Sequence, residues 1–159
     1  MYDIVIIGAG AAGLTAALYA LRANKSVLVI EKGSFGGQIT YSPQVENFPT
    51  QEKMSGSELA DKLTEQVLSH GAEVEVDTVV FIENCGNFKK VVGESGTYEA
   101  KAVIIATGAR HRTLGLPREE EFIGEGISFC AVCDGAFYKD KDHRSGNRHE
   151  RRRAGQSDF

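Results

Sequence analysis

Two groups of residues have the types and spacing for chemistry. The first is Cys130-Ala131-Val132-Cys133, followed at once by Asp134-Gly135. Thiols at this spacing can close a small ring and take part in disulfide exchange. A zinc site is a second reading, but it needs about four ligands. The one other cysteine, Cys85, stands alone, with no second CxxC and no HxxxH to complete a set. Two inert buried thiols are a third reading. A redox pair accounts best for Asp134, whose carboxyl can carry the proton that a thiolate gains or loses. Asp134 can equally be a helix N-cap or turn former, and the two roles are compatible. Cys85 reads as a bystander.

The second group is Gly8-Ala9-Gly10-Ala11-Ala12-Gly13 with Glu31 about twenty residues on. A G-x-G-x-x-G between a strand and a helix suits a dinucleotide. The first glycine makes the tight turn, the second lets the backbone approach a pyrophosphate, and the third lets helix and strand pack closely. The phosphates then meet unpaired N–H groups at the positive helix end. Glu31 can accept from a free ribose 2′-hydroxyl and would repel a 2′-phosphate, so this turn suits FAD or NAD and not NADP. Otherwise Glu31 is a solvated strand end.

The flanking pattern supplies the elements these residues need. Tyr2–Ile7 reads as a buried parallel strand, Leu14–Ala23 as a helix with Leu14, Leu18 and Leu21 in register, and Ser26–Ile30 as a second strand. That is a βαβ unit of crossover size. Residues 32–56 read as a long loop, a length usually kept for function. Ser55 and Glu58 form a capping box for a helix carrying Leu59, Leu63 and Val67, closed by His70-Gly71. Glu73–Val76 is a third strand. Residues 79–83, 88–92 and 97–101 form a small β meander. Ala102–Ala106 is a further buried strand that stops at Thr107-Gly108, and taken alone that stop is only a strand end.

The 159 residues suggest one domain, and 25% charged with 42% hydrophobic residues excludes a disordered chain. No apolar run nears the length of a membrane span, and Met1-Tyr2-Asp3 lacks a signal peptide's basic start. The net charge of -4 is uneven. Residues 143–159 hold five of the nine arginines and only two acids, with no apolar period. Arg144, Arg148 and Arg151–Arg153 could meet nucleic-acid phosphates, but the run lacks a stacking pattern and reads as solvated, with no nucleic-acid partner.

The glycine motif, Glu31, Gly36-Gly37-Gln38, Glu46-Asn47-Phe48-Pro49, Ala106-Thr107-Gly108-Ala109 and CAVCDG occur in that order. Together they closely resemble the bacterial-type (low-molecular-weight) thioredoxin reductases, class II pyridine nucleotide-disulfide oxidoreductases, over residues 1–142. The resemblance implies an α/β fold: a Rossmann-like, FAD-binding three-layer ββα sandwich with a small β meander, truncated before the NADPH domain. It divides the chain into 1–117, the N-terminal part of the FAD-binding domain; 118–142, the start of the NADPH/disulfide domain; and 143–159, a basic tail foreign to the fold.

By that resemblance Gly8, Gly10, Ala11, Ala12, Gly13 and Glu31 hold the pyrophosphate and adenosine ribose of FAD. Gly37, Gln38 and Asn47 lie along the ribityl chain and flavin ring, Val79 at the adenine end, and Thr107 and Gly108 by the pyrophosphate. Cys133 is the thiol beside the flavin, Cys130 attacks the thioredoxin disulfide, and Asp134 is the acid. Electrons run from NADPH through FAD and the Cys130–Cys133 disulfide to thioredoxin, in a cytoplasmic homodimer with no membrane contact and no metal. The family continues past Tyr138 into a second glycine motif for NADPH, whereas here Asp142 leads into the arginine tail. A truncated or frameshifted reading frame is the resulting expectation. A non-catalytic FAD-binding fragment, or a flavin reductase of a peroxiredoxin-type partner, is the alternative.

Overall fold

The computed structural model describes residues 1–123 and 126–130. The chain forms two compact units, Met1–Ala109 and Arg110–Phe159.

The first unit holds six strands: β1 (Tyr2–Ile7), β2 (Val27–Glu31), β3 (Glu73–Val76), β4 (Val79–Asn84), β5 (Lys89–Gly93) and β6 (Thr97–Ile105). Two helices accompany them, α1 (Ala11–Arg22) and α2 (Gly56–Ser69). The sheet order is β3-β2-β1-β6-β5-β4. β1 pairs in parallel with β2 and β6, and β2 with β3, while β4, β5 and β6 form an antiparallel meander.

Alternation along β1 and β2 builds the layers. Ile6, Val27 and Val29 face α1 and α2, where they meet Leu14, Ala17, Ala20 and Val67. Val5, Ile7, Leu28 and Ile30 face the other way, against Val91 and Ala100 of the meander. Both faces of β1 and β2 are therefore covered, as a parallel sheet requires, and a helix–sheet–meander sandwich results. This is the expected α/β architecture.

Three expectations are refined. The last meander strand and the supposed separate strand 102–106 are one strand, because nothing between Lys101 and Ala102 breaks the extended backbone. Its first half pairs with β5 and its second half with β1. That second half is not fully buried: Val103 and Ile104 are half-buried, and Ile105 is 67% exposed, since β5 flanks only the first half. The 32–56 loop contains a short 3-10 helix, Gly37–Tyr41. Finally, α1 starts at Ala11 and presses small residues, Gly13, Ala17 and Ala20, onto the sheet beside Leu14. Leu18 and Leu21 are only half-buried there, because close helix–sheet approach favours the small side chains.

The capping box of α2 forms as read. Ser55 Oγ accepts from Glu58 N–H at 3.1 Å, and Glu58 Oε2 accepts from Ser55 N–H at 2.7 Å. Glu58's carboxyl is held below its ordinary range by these bonds from Ser55. Beyond the helix, Gly71 takes φ +90° and its N–H bonds to the Leu68 carbonyl, closing the C-terminus.

In the second unit a 3-10 turn spans Glu119–Phe122. The buried Glu119 carboxylate accepts the N–H groups of Leu114, Gly115 and Leu116 at 2.7, 2.7 and 3.2 Å. The bond from Leu114 leads in holding its carboxyl below the ordinary range, and burial opposes it. Among the described residues no helix is long and apolar enough to cross a membrane.

Candidate dinucleotide site

The turn joining β1 to α1 sits at the C-terminal end of the parallel strands, where open α/β sheets bind ligands. Its glycines are required sterically. Gly8 takes φ +103°, and a Cβ there would strike the Ala106 carbonyl oxygen and lie 3.2 Å from Thr107 Cα. The expected Ala106-Thr107-Gly108 strand end thus runs directly against the turn. A Cβ on Gly13 would strike the Gly8 carbonyl oxygen and meet Ala106 Cβ at 3.4 Å. Gly10 is different: a Cβ there would meet nothing nearer than the Gly36 oxygen at 3.8 Å. The space above Gly10 is open on the side a ligand would use.

Helix α1 begins without a side-chain cap and with no acid in its first turn. Its first intrahelical bond runs from Leu14 N–H to the Gly10 carbonyl at 3.0 Å. The N–H groups of Ala11, Ala12 and Gly13 therefore belong to the unpaired first turn, and Ala11 and Ala12 are exposed. Donors plus the positive helix end make a seat for a pyrophosphate.

Glu31 ends β2 beside this seat. Its carboxylate accepts the Ala9 N–H at 2.8 Å on Oε2 and the Gly33 N–H at 3.0 Å on Oε1. It braces the glycine turn as well as standing at the ribose position expected from the motif. With two oxygens and about four lone-pair sites, the carboxylate retains capacity for a ribose hydroxyl. The Ala9 carbonyl accepts the Gly36 N–H at 2.7 Å, and Gly10 forms a parallel bridge with Gly36. Gly36 takes φ +100° and packs so closely on Ala60 that a Cβ would clash.

The other expected residues divide. Gly37 lies against Gly10, where a Cβ would be 3.4 Å from Gly10 Cα. Gln38 Nε2 donates to the Ala109 carbonyl, joining the 37–38 segment to the strand end at Thr107-Gly108. Thr107 and Gly108 are exposed, and Gly108 takes φ +70° with open space at its Cβ position. Val79 begins β4 and packs half-buried on the meander side of the core with Ile30. Asn47 is exposed in the loop closed by the Val45–Met54 bridge. Cys133 and Asp134 lie outside the described residues. Cys130 is disulfide-bonded, whereas Cys85 is a half-buried free cysteine in the β4–β5 turn.

One positioning residue was not legible in the sequence. Asp77 is 6% exposed, and its carboxylate accepts Ser95 N–H, Gly96 N–H and Tyr98 O–H at 3.0, 3.1 and 3.0 Å. Its own N–H donates to the Glu31 carbonyl at 3.0 Å. It ties the meander to the end of β2, next to the site. Burial alone would raise its carboxyl, but the bonds from Ser95, Tyr98, Thr78 and Gly96 outweigh that and hold it low. The only sequence signal was a lone acid between two strands, and its partners lie about twenty residues away.

A Gly-rich β–α turn with an acid on β2, in a sheet sandwiched between helices and a meander, defines an α/β unit of the dinucleotide-binding type. The profile of the pyridine nucleotide-disulphide oxidoreductases matches residues 2–151, and the chain belongs to that family. Among its relatives is the thioredoxin reductase of Listeria monocytogenes, 47% identical over 142 residues that make up 89% of this chain and 44% of the relative. That of Bacillus subtilis is 46% identical over 89% of this chain and 45% of its own length. The solved thioredoxin reductase of Streptococcus pyogenes superposes with a TM-score of 0.76 at 52% identity, over 86% of this chain and 45% of that one. The chain spans less than half the length of the curated relatives it matches.

Proposed function

We propose that this chain carries the flavin half of a thioredoxin-disulfide reductase, an enzyme that uses FAD and NADPH and has thioredoxin as its protein substrate. The carrying observation is the glycine turn, in which Gly8 and Gly13 exclude any side chain, Gly10 is open, Ala11, Ala12 and Gly13 form the uncapped first turn of α1, and Glu31 holds the Ala9 N–H. These residues fit FAD. When bound, FAD supplies a two-electron carrier between a nicotinamide and a disulfide. Ala11, Ala12 and Gly13 N–H groups hold the pyrophosphate, and Glu31 accepts from the adenosine ribose. Gly37, Gln38 and Asn47 line the flavin side, Val79 the adenine end, and Thr107 and Gly108 the pyrophosphate side.

Cys130 and Cys133 form the redox pair, with Cys130 attacking the thioredoxin disulfide and Asp134 managing the proton. The similarity to thioredoxin reductases supports this reading, as does the disulfide-bonded state of Cys130, whereas Cys85 is free. The domain division at 117/118 and 142/143, the homodimer and a cytoplasmic location belong to the same proposal.

The test is in two stages. FAD titrated into the purified chain should lose fluorescence saturably, and Glu31→Ala should abolish that. NADPH-driven thioredoxin reduction is then followed in a longer protein carrying these residues with Cys133→Ser. Loss of turnover supports the assignment, and wild-type rates overturn it. FAD binding without any thiol–disulfide cycling would instead identify a non-catalytic flavin-binding fragment.

A further inference from the structure

Asp77 joins three parts of the first unit. Its N–H donates to the Glu31 carbonyl at 3.0 Å, one step past the Glu31–Val76 pair that ends the β2–β3 ladder. Its buried carboxylate crosses to the turn between β5 and β6. There Oδ1 accepts the Ser95 N–H at 3.0 Å, and Oδ2 accepts the Gly96 N–H at 3.1 Å and the Tyr98 hydroxyl at 3.0 Å. The turn is shaped around that carboxylate. Gly93 N–H closes it on the Gly96 carbonyl at 2.8 Å, and a Cβ on Gly93 would strike Asp77 Oδ2. The residues that follow Asp77 are fastened too: the Glu94 N–H donates to the Thr78 carbonyl at 3.0 Å, and Val79 pairs with Gly93. A buried carboxylate that satisfies three donors holds its place, because moving it strands charge and donors together.

We propose that Asp77 is a specificity-setting positioning residue for the adenosine ribose: it holds the Glu31 peptide from the β3 side, so that the meander turn 93–96 governs how strongly Glu31 reads a ribose 2′-hydroxyl. This rests on the reading of the glycine turn as a dinucleotide site with Glu31 at the ribose. The path is short and continuous. The turn holds the Asp77 carboxylate, the Asp77 N–H holds the Glu31 carbonyl, and the Glu31 carboxylate reaches forward to the Ala9 and Gly33 N–H groups. Hydrogen bonds between hydroxyl and oxygen work over a narrow span of about 2.5 to 3.0 Å. A displacement of a few tenths of an ångström at the Glu31 peptide is therefore felt at a ribose hydroxyl. Asp77 acts through Glu31, so its effect belongs to the 2′-hydroxyl and not to the pyrophosphate held at the start of α1.

The test uses the full chain and two probes, FAD and its analogue with 2′-deoxyadenosine, each titrated by flavin fluorescence. The ratio of their Kd values reports the 2′-hydroxyl bond alone. The wild type should prefer FAD by about tenfold or more, the range for a hydrogen bond to a charged group. Asp77→Asn should bring that ratio down to about threefold. Gly93→Ala leaves Asp77 in the chain but displaces its carboxylate, and should lower the ratio in the same way. Gly71→Ala loses stability away from the site and should keep the wild-type ratio, which separates positioning from a general loss of fold. If Asp77→Asn does not fold, Tyr98→Phe, which removes one of the three bonds, carries the test with an intermediate ratio expected. A wild-type ratio in the folded Asp77 or Tyr98 variant overturns the proposal. A wild-type chain that binds the two probes equally, or neither, overturns the ribose or dinucleotide reading itself, which is a distinct result.

Discussion

The carboxylate of Glu31 accepts the Ala9 N–H at 2.8 Å. The acid expected to read a ribose is therefore also the brace of the turn that would hold the adjacent pyrophosphate. Binding and shape are coupled at one side chain. Glu31→Gln keeps one acceptor but turns an amide donor toward a backbone N–H. It should weaken FAD binding by about 1.5–3 kcal/mol, the range for losing a hydrogen bond to a charged group, or roughly tenfold to a hundredfold in Kd. A fluorescence titration measures this, and an unchanged Kd would show that the brace and the ribose contact are separable.

The third glycine should be intolerant for a steric reason. In Gly13→Ala the new methyl meets the Gly8 carbonyl oxygen, which cannot move without disturbing the β1–α1 turn. A loss of about 1–3 kcal/mol of stability, typical of overpacking, should accompany loss of FAD binding. Urea denaturation with and without FAD separates the two. Gly71→Ala serves as a control, because its φ is also positive but open space surrounds its Cβ position. It should lose stability and leave the flavin site intact.

Asp77 should contribute to acid sensitivity. Its carboxyl is lower in the folded chain than in the unfolded one, so the charged form favours folding. That contribution is complete above the unfolded value of about 3.9 and is lost as pH falls through the lower folded value. Asp77→Asn should lower Tm at pH 7, on the order of 5 °C, and flatten the stability profile below about pH 4. A thermal melt series from pH 3 to 7 checks both, and parallel wild-type and variant curves would refute the assignment.

The capping box gives a local test. Ser55→Ala removes the oxygen that accepts the Glu58 N–H and should cost about 1 kcal/mol, seen as a lower urea midpoint at unchanged slope. Because α2 packs beside Gly36 through Ala60, the same variant should reduce FAD affinity modestly, less than Glu31→Gln does.

Much of the site was legible because its requirements are local. A tight turn with positive φ at Gly8, an uncapped helix start and a box at Ser55 and Glu58 are each decided within a few residues. The continuous apolar runs of β1 and β2 likewise announced strands buried within a parallel sheet. The joining of residues 97–101 to 102–105 was less legible, since neither half carries a signal of which neighbour it will pair with. Asp77 was invisible for the same reason: its value comes from Ser95, Gly96 and Tyr98, brought to it by the meander.

The sequence by itself determined which residues could serve a dinucleotide and a thiol pair, because residue type and short-range spacing set hydrogen-bonding capacity and backbone freedom. Only the tertiary structure decided how those residues meet. It set Ala106 against Gly8, Gln38 on Ala109 and Glu31 on Ala9, left Asn47 out in its loop, and stacked His111 on Phe129. Such contacts depend on strand order and close packing, which bring together residues that no local spacing connects.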